Sequence, residues 1–459
     1  MENYDAIIIG AGQAGTPLAT AFAGAGWKTA VIEKRYVGGT CINYGCTPTK
    51  TMIASAAAAH LAGRAEALGV RAGPASVDLR RVRQRKAAVV DSFRNGIHRR
   101  LQKAGVDLLM GSASFTGPKT LRVQPNDGGA TRELTASRIV INTGGRPVIP
   151  QLPGRESVAY LDSTSIMELE EVPAHLLVLG GGYVALEFAQ MFARFGSRVT
   201  VVERGGQLLA REDSDVAEAM LGILREEGVE VLLNAAAQRL ASGPQGGISL
   251  TVKTAQGERT LTGSHILMAT GRTPNSDQLS LPAAGIKTDA HGFISADDHL
   301  ETNVPGVYAV GDVNGGPAFT HISYDDFRVL RTNLLENGNA STRGRLVPYT
   351  VFTDPQLGRI GLTEKEAQAE HRQIEVAKIP MSHVARAIEL DRTQGLIKAI
   401  VDRESQQILG AAVLGIEGGE IMAMLEIAML GKVPYPVLRD GVFAHPTLAE
   451  LLNNLFAGL

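Results

Sequence analysis

Cys41 and Cys46 are the only thiols in a chain of 459 residues, and they stand close together in GGTCINYGCTPTK (38–50). Such a pair can form a structural disulfide, supply half of a metal site, or carry electrons as a dithiol–disulfide couple. On a regular helix, residues five apart have Cα atoms about 8–9 Å apart, and a disulfide wants less than about 7 Å. The spacing therefore predicts that Cys41 lies before, or in a distorted first turn of, the helix that carries Cys46. Gly45 would ease the bend and Pro48 would sit early in the helix. A helix N-terminus also lowers a thiol pKa and favours thiolate. Structural zinc normally takes four ligands; the chain has no third cysteine and no histidine cluster near the pair, so no metal site is expected. A redox couple is the leading reading, with a stapling disulfide the lesser one.

A redox couple needs a source of electrons, and the surrounding elements supply candidates. AIIIGAGQAG opens the chain and is followed, past a helical stretch, by TAVIEK; LLVLGGGYVA is followed by RVTVVER. Gly10, Gly12, Gly15 and Glu33 of the first copy align with Gly180, Gly182, Ala185 and Glu203 of the second at one constant offset. Strand, glycine turn, helix and acidic strand end form the dinucleotide-binding fingerprint: the glycines let a pyrophosphate approach a helix N-terminus, and the acid accepts from a ribose hydroxyl. Glu203 would repel a 2′-phosphate and favours NAD, although Arg204 and Ala185 leave NADP open. Two such sites point to electrons passing between a transient and a resident cofactor. A second echo pairs VINTGGRP (140–147) with LMATGRTP (267–274).

The remaining chain reads as helical over 54–110, β-rich over 111–140 and 229–265, and as a buried strand ending in Gly-Asp over 300–312. From about 347 the texture becomes α+β. The expected fold class is therefore α/β: two Rossmann-like dinucleotide-binding domains followed by a C-terminal α+β domain. A net charge of −2 argues against nucleic acid or an anionic membrane surface as partner. No run is apolar enough to span a bilayer, and MENYDAIIIGAG does not read as a signal peptide, so a cytoplasmic protein is expected.

GGTCINYGCTPTK resembles the redox-active signature of the class I pyridine nucleotide-disulfide oxidoreductases, the flavoprotein disulfide reductases that include dihydrolipoamide dehydrogenase, glutathione reductase and mercuric reductase. The resemblance runs through GAGQAG, NTGGRP, GGGYVALE, ATGRTPN, TNVPGVYAVGD and HPTLAE. It implies FAD on the first unit, NADH or NADPH on the second, and a homodimer built by the C-terminal domain. The implied boundaries are 1–150 for FAD, 151–275 for NAD(P), 276–345 for a central domain returning to FAD, and 346–459 for dimerisation. Cys41 would be the interchange thiol that attacks substrate, and Cys46 the charge-transfer thiol against the flavin. Lys50 would pair with Glu187 near the flavin N5. His445, oriented by Glu450, would be the acid–base for Cys41 of the other subunit. Asp312 would hold the ribityl chain, with Gly311 beside it. Ala318, Phe319, Thr320 and His321 would line the flavin edge, His321 in either a direct or a structural role. Gly39, Thr40, Ala113, Thr143, Gly144, Gly271 and Arg272 complete the implied cofactor contacts.

Within that family, TPLATAFAGAG lacks the early arginines that hold glutathione disulfide, and the chain has no cysteine to spare for the second pair that a mercuric reductase carries near its C-terminus. The background HVARAIELDRTQGLIKAIVD nevertheless resembles mercuric-reductase-like proteins and the related flavoprotein of reactive-chlorine resistance, a proposed copper(II) reductase. The expected function is an FAD-dependent NAD(P)H oxidoreductase that passes electrons through Cys46 and Cys41 to a metal ion or small disulfide. The alternatives are a dihydrolipoamide dehydrogenase and, in another class, a redox-sensing flavoprotein that binds a partner. Arg386 reads equally as a pocket or a surface residue, and Tyr44 as an access-shaping or a packing one.

Overall fold

The run Ala6–Ile9 is apolar at every position because helices or sheet cover both of its faces; in the computed structural model all four residues are at most 4% exposed. The structure describes residues 1–73, 76–243 and 246–459. It divides into two compact units. The first holds Met1–Met52, Arg81–Val148 and Gly271–Arg345; the second holds Ile53–Arg80, Ile149–Thr270 and Leu346–Leu459.

In the first unit, the strand Glu2–Ile9 lies between Thr29–Glu33 and Arg132–Ile141, parallel to both. Asp107–Gly117 extends the sheet beyond Thr29–Glu33, and Val307–Ala309 beyond Arg132–Ile141, again in parallel. The far half of Asp107–Gly117 turns within the same six-stranded sheet to antiparallel pairing with Thr120–Pro125, which pairs in turn with the start of Arg132–Ile141. Alternate residues of the central strand feed two cores. Ile7 and Ile9 pack with Leu121, Leu134 and Val307, whereas Ala6 and Ile8 pack with Leu18, Phe22, Ile97 and Leu101.

Two corrections to the sequence reading fall in this unit and at its edge. The segment 54–110 is not helical throughout: helices cover Cys46–Gly63 and Leu79–Lys103, and Asp107–Gly117 is a strand. Gly69 and Gly73, with φ of 78° and 72°, lie between the helices in the left-handed region where a helix cannot continue. The buried strand expected over 300–312 is only Val307–Ala309 and is followed by a tight 3₁₀ turn, Gly311–Asn314.

In the second unit, a four-stranded parallel sheet runs in the order His265–Met268, His175–Leu179, Arg198–Val202, Glu230–Leu232. A three-stranded antiparallel sheet comprises Ala236–Ser242, Ile248–Thr254 and Gly257–Gly263. The chain after residue 346 forms a five-stranded antiparallel sheet from Tyr349–Val351, Gln356–Gly361, Ile408–Gly415, Leu396–Asp402 and Ile374–Pro380. Helix Gly418–Leu430 packs its Ile421, Met422 and Leu425 into the core of this sheet.

Candidate active site

The first glycine turn is closed so tightly that side chains have no room. A Cβ on Gly10 (φ 105°) would stand 2.3 Å from the Asn142 carbonyl oxygen, and one on Gly15 would stand 2.3 Å from the carbonyl of Gly10. Helix Gly15–Gly24 begins directly after this turn. Glu33 ends the next strand and folds back over the turn, accepting from the Ala11 N–H at 2.9 Å and the Arg35 N–H at 2.8 Å. The cysteine box rests on the same turn: Gly38 N–H donates to the Ala11 carbonyl, and a Cβ on Gly39 would stand 2.7 Å from the Gly12 Cα.

Within the box the chain makes two helices. Gly39–Asn43 is a five-residue turn carrying Cys41, and Cys46–Gly63 starts at Cys46. The break at Tyr44 and Gly45 brings the thiols together, as a single regular helix could not. The two cysteines are not joined in a disulfide. The Cys41 thiol is pushed well above the ordinary thiol range, first by its hydrogen bond with Cys46, then by burial and by the charge of Cys46; Thr320 and Lys50 pull in the opposite direction. Thr320 Oγ1 lies 3.4 Å from Cys46 Sγ. Thr320 is itself the first residue of a helix, Thr320–Leu335. Two helix N-termini therefore converge on the sulfurs, each bringing a partial positive charge that favours thiolate.

The second unit repeats the turn. A Cβ on Gly180 (φ 115°) would meet the Ala269 carbonyl oxygen at 2.4 Å; Gly182 precedes helix Tyr183–Arg194, in which Ala185 is fully buried. Glu203 accepts from the Gly205 N–H at 2.6 Å, and its Cγ and Oε2 lie 2.9 Å from where a Gly181 Cβ would be. The carboxylate thus sits at the mouth of the turn, and Arg204 beside it is exposed. Glu187 is 3% exposed and accepts from the Phe352 N–H at 2.9 Å. In the same unit His445 Nδ1 bonds both carboxylate oxygens of Glu450, at 2.8 and 3.1 Å, with the ring otherwise exposed. Glu450 thereby fixes the tautomer and leaves Nε2 for chemistry.

Residues 4–326 match the family described as pyridine nucleotide-disulphide oxidoreductase, and residues 347–456 match its dimerisation domain. The chain belongs to the pyridine nucleotide-disulphide oxidoreductase family. Among its relatives, the probable pyridine nucleotide-disulfide oxidoreductase RclA of Escherichia coli is 39% identical over all of this chain and 99% of its own length. A mercuric reductase of Staphylococcus aureus is 31% identical over 98% of this chain and 81% of its own length, and a dihydrolipoyl dehydrogenase of Geobacillus stearothermophilus is 32% identical over 97% and 94%. A solved structure described as the Cu(II) complex of the HOCl-induced flavoprotein disulfide reductase RclA from Escherichia coli superposes with a TM-score of 0.91 at 38% identity, covering both chains completely. The chain is thus a flavoprotein disulfide oxidoreductase of the group containing RclA, mercuric reductase and lipoamide dehydrogenase, using FAD and a nicotinamide dinucleotide. No helix among the described residues is long and apolar enough to cross a membrane.

The family's flavin fits the residues of the first unit. The glycine cradle around Gly10, Gly12 and Gly15 leaves backbone open to a pyrophosphate. The buried Thr143 hydroxyl has no partner among the described residues, and Gly144 and Gly271 next to Thr143 and Arg272 take φ of 64° and 130°. Burial raises the Asp312 pKa while Arg272, 3.8 Å away, opposes the rise. A polar group of a bound cofactor would give the Thr143 hydroxyl a partner. Ala113 lies inside its strand opposite Val123, and Phe319 stacks on His321 with ring centroids 5.5 Å apart. Thr40 lies in the short helix with Cys41.

Thr320, Tyr44 and Arg386 have surroundings that residue order alone does not give. Thr320 was expected at the flavin, not within reach of a sulfur. Tyr44 turns toward Arg35: burial raises its pKa, and a hydrogen bond from Arg35 opposes that rise. Arg386 makes an ion pair with Glu389 one turn along its own helix, at 3.0 Å.

Proposed function

We propose that this chain is an NAD(P)H-dependent reductase whose Cys41–Cys46 couple delivers electrons to a small thiol-reactive substrate, a metal ion or a small disulfide. The observation that carries this reading is the convergence of Cys41, Cys46, Lys50 and Thr320 at two helix N-termini. When bound, the flavin would relay the two electrons of a hydride from the nicotinamide to the disulfide. Gly10, Gly12, Gly15, Glu33, Gly39, Thr40, Ala113, Thr143, Gly144, Gly271, Arg272, Gly311, Asp312, Ala318 and Phe319 would hold it. Gly180, Gly182, Ala185 and Glu203 would hold the nicotinamide dinucleotide, with NADH preferred because the Glu203 carboxylate repels a 2′-phosphate.

Reduction opens the disulfide to two thiols. Cys46 holds the charge beside Thr320, and Lys50 adds a positive field. Cys41 attacks a disulfide substrate at sulfur and forms a mixed disulfide, releasing one thiol that takes a proton from His445 of the other subunit. Cys46 then attacks Cys41, the second substrate thiol leaves, and the Cys41–Cys46 disulfide closes. With a metal ion, both sulfurs ligate and closure of the disulfide passes on two electrons, enough for two Cu(II) to become Cu(I). The Cu(II) complex of the RclA relative supports a metal acceptor. This division of work places FAD in 1–150, the nicotinamide dinucleotide in 151–275, the return to FAD in 276–345 and the dimer contact in 346–459, in a cytoplasmic homodimer.

The His445–Glu450 pair favours a second reading, dihydrolipoamide dehydrogenase, because a metal acceptor needs no proton from His445. Anaerobic titration with NADH or NADPH, followed by turnover assays with Cu(II), Hg(II), glutathione disulfide and lipoamide, separates the two. The disulfide mechanism predicts a long-wavelength thiolate–flavin band and its loss in Cys46→Ser. Full activity in that variant with no band in the parent sinks the mechanism, and fast lipoamide turnover selects the second reading.

A further inference from the structure

The helix that carries Cys41 has five residues, Gly39–Asn43. A helix that short does not hold its shape unaided, and its anchors lie outside it. Asn43, 9% exposed, donates its amide to the carbonyls of Val37 at 3.0 Å, Gly39 at 2.9 Å and, at longer reach, Tyr36 at 3.4 Å. Its Oδ1 accepts from Nε and Nη2 of Arg94, at 3.0 and 2.9 Å. Arg94 comes from the long helix Leu79–Lys103. Its guanidinium lies 4.0 Å over the Tyr36 ring, and Nη1 donates to Asp91 at 3.0 Å. Ring, carboxylate and amide therefore hold the guanidinium in one orientation, and the guanidinium holds Asn43.

We propose that Arg94 is a positioning residue for the redox couple: through Asn43 it fixes where Cys41 stands relative to Cys46. The inference rests on the redox reading of the two cysteines. Cys46 opens an 18-residue helix and is placed by it, so Cys41, on the five-residue helix, is the partner whose position depends on outside anchors. Disulfide geometry admits only a narrow range of Cα separations. Holding Cys41 inside that range raises the effective concentration of one thiol at the other and favours the disulfide. Without Arg94 the buried Asn43 oxygen loses both donors, the short helix shifts, and Cys41 spends less time within reach. The disulfide then weakens relative to the dithiol, and the couple becomes easier to reduce. Arg94 itself makes and breaks no bond.

The test equilibrates the flavin-loaded enzyme with thiol–disulfide redox buffers and quantifies the Cys41–Cys46 disulfide by alkylation and mass spectrometry. Arg94→Met is expected to shift the equilibrium constant about tenfold toward the dithiol, roughly 30 mV less negative for a two-electron couple. Arg94→Lys, which restores one donor, is expected to recover about half of that shift on a logarithmic scale and carries the test alone should the methionine variant fail to fold. Asp91→Asn, whose amide oxygen can still accept from Nη1 and which leaves both bonds to Asn43 in place, is expected to stay within about twofold of the parent. A lowered melting temperature with the equilibrium constant unchanged within about twofold overturns the proposal. If the parent itself shows no titrating couple, the redox reading falls first; a couple that titrates and ignores Arg94 overturns this inference alone.

Discussion

The Thr320 hydroxyl lies 3.4 Å from Cys46 Sγ, and the size of its effect follows from that geometry. A hydrogen bond to a charged group contributes roughly 1.5–3 kcal/mol, and a contact this long belongs near the lower value. At about 1.4 kcal/mol per pKa unit, Thr320→Ala should raise the pH at which the Cys46 thiolate forms by about one unit. The helix ends remain, each contributing about 0.3–1 kcal/mol, so the thiolate is weakened and not abolished. The assay follows the long-wavelength thiolate–flavin absorbance of the two-electron-reduced enzyme from acid to alkaline pH. Thr320→Ala moves the midpoint upward, and Thr320→Ser, which keeps the hydroxyl, stays within a few tenths of a unit of the parent. Because the hydroxyl also faces Cys41, on which it has a lowering influence, alkylation of Cys41 should slow in the alanine variant as well. A midpoint that moves by less than about 0.3 units in Thr320→Ala refutes the reasoning, because the helix ends alone would then account for the thiolate.

Removing the proton donor with His445→Gln should lower turnover of disulfide substrates by about 10²–10⁴-fold and leave the thiolate–flavin band intact; Glu450→Gln should cost less, and steady-state assays beside reductive titrations check both. Glu203→Ala should raise the ratio of kcat/KM for NADPH over NADH by roughly tenfold, the size of one removed like-charge contact of about 1.4 kcal/mol, read from initial rates with each coenzyme. Burial works against the Asp215 carboxylate, but hydrogen bonds from Lys378 and Lys398 hold its pKa below the ordinary carboxylate value. Its contribution to stability is therefore complete above the unfolded value of about 3.9 and is lost as pH falls through the lower folded value. Melting temperatures of the parent should drop more steeply than those of Asp215→Asn below about pH 4.

Motifs that act through the backbone were readable from residue order alone. Glycines in GAGQAG and GGGYVA mark turns that admit no Cβ, and the five-position cysteine spacing demanded a broken helix. The DLLM run at 107–110 was misread because a short apolar run has no period of its own; its parallel pairing with Thr29–Glu33 decides it as strand. The contact of Thr320 with a sulfur and the hold of Arg94 on Asn43 are illegible for a different reason. Each acts across a long stretch of chain, on Cys46 and on Asn43, and a lone threonine or one arginine in LRRVRQRK…FRNGIHRR carries no local mark of its partner.

The convergence of two helix ends on the sulfurs also sets how the site fails under oxidative stress. A stabilised thiolate is the sulfur that electrophilic oxidants strike first, giving a sulfenic acid that further oxidant would carry to irreversible sulfinic and sulfonic acids. Here the second thiol already shares a hydrogen bond with the first. It can condense with a sulfenic acid at once, expelling water and closing the same disulfide that the catalytic cycle opens. Damage and turnover then meet in one species, and the nicotinamide that drives catalysis also repairs the site. With no other cysteine in the chain, the oxidised sulfur has no competing intramolecular partner, so this self-repair has a single product.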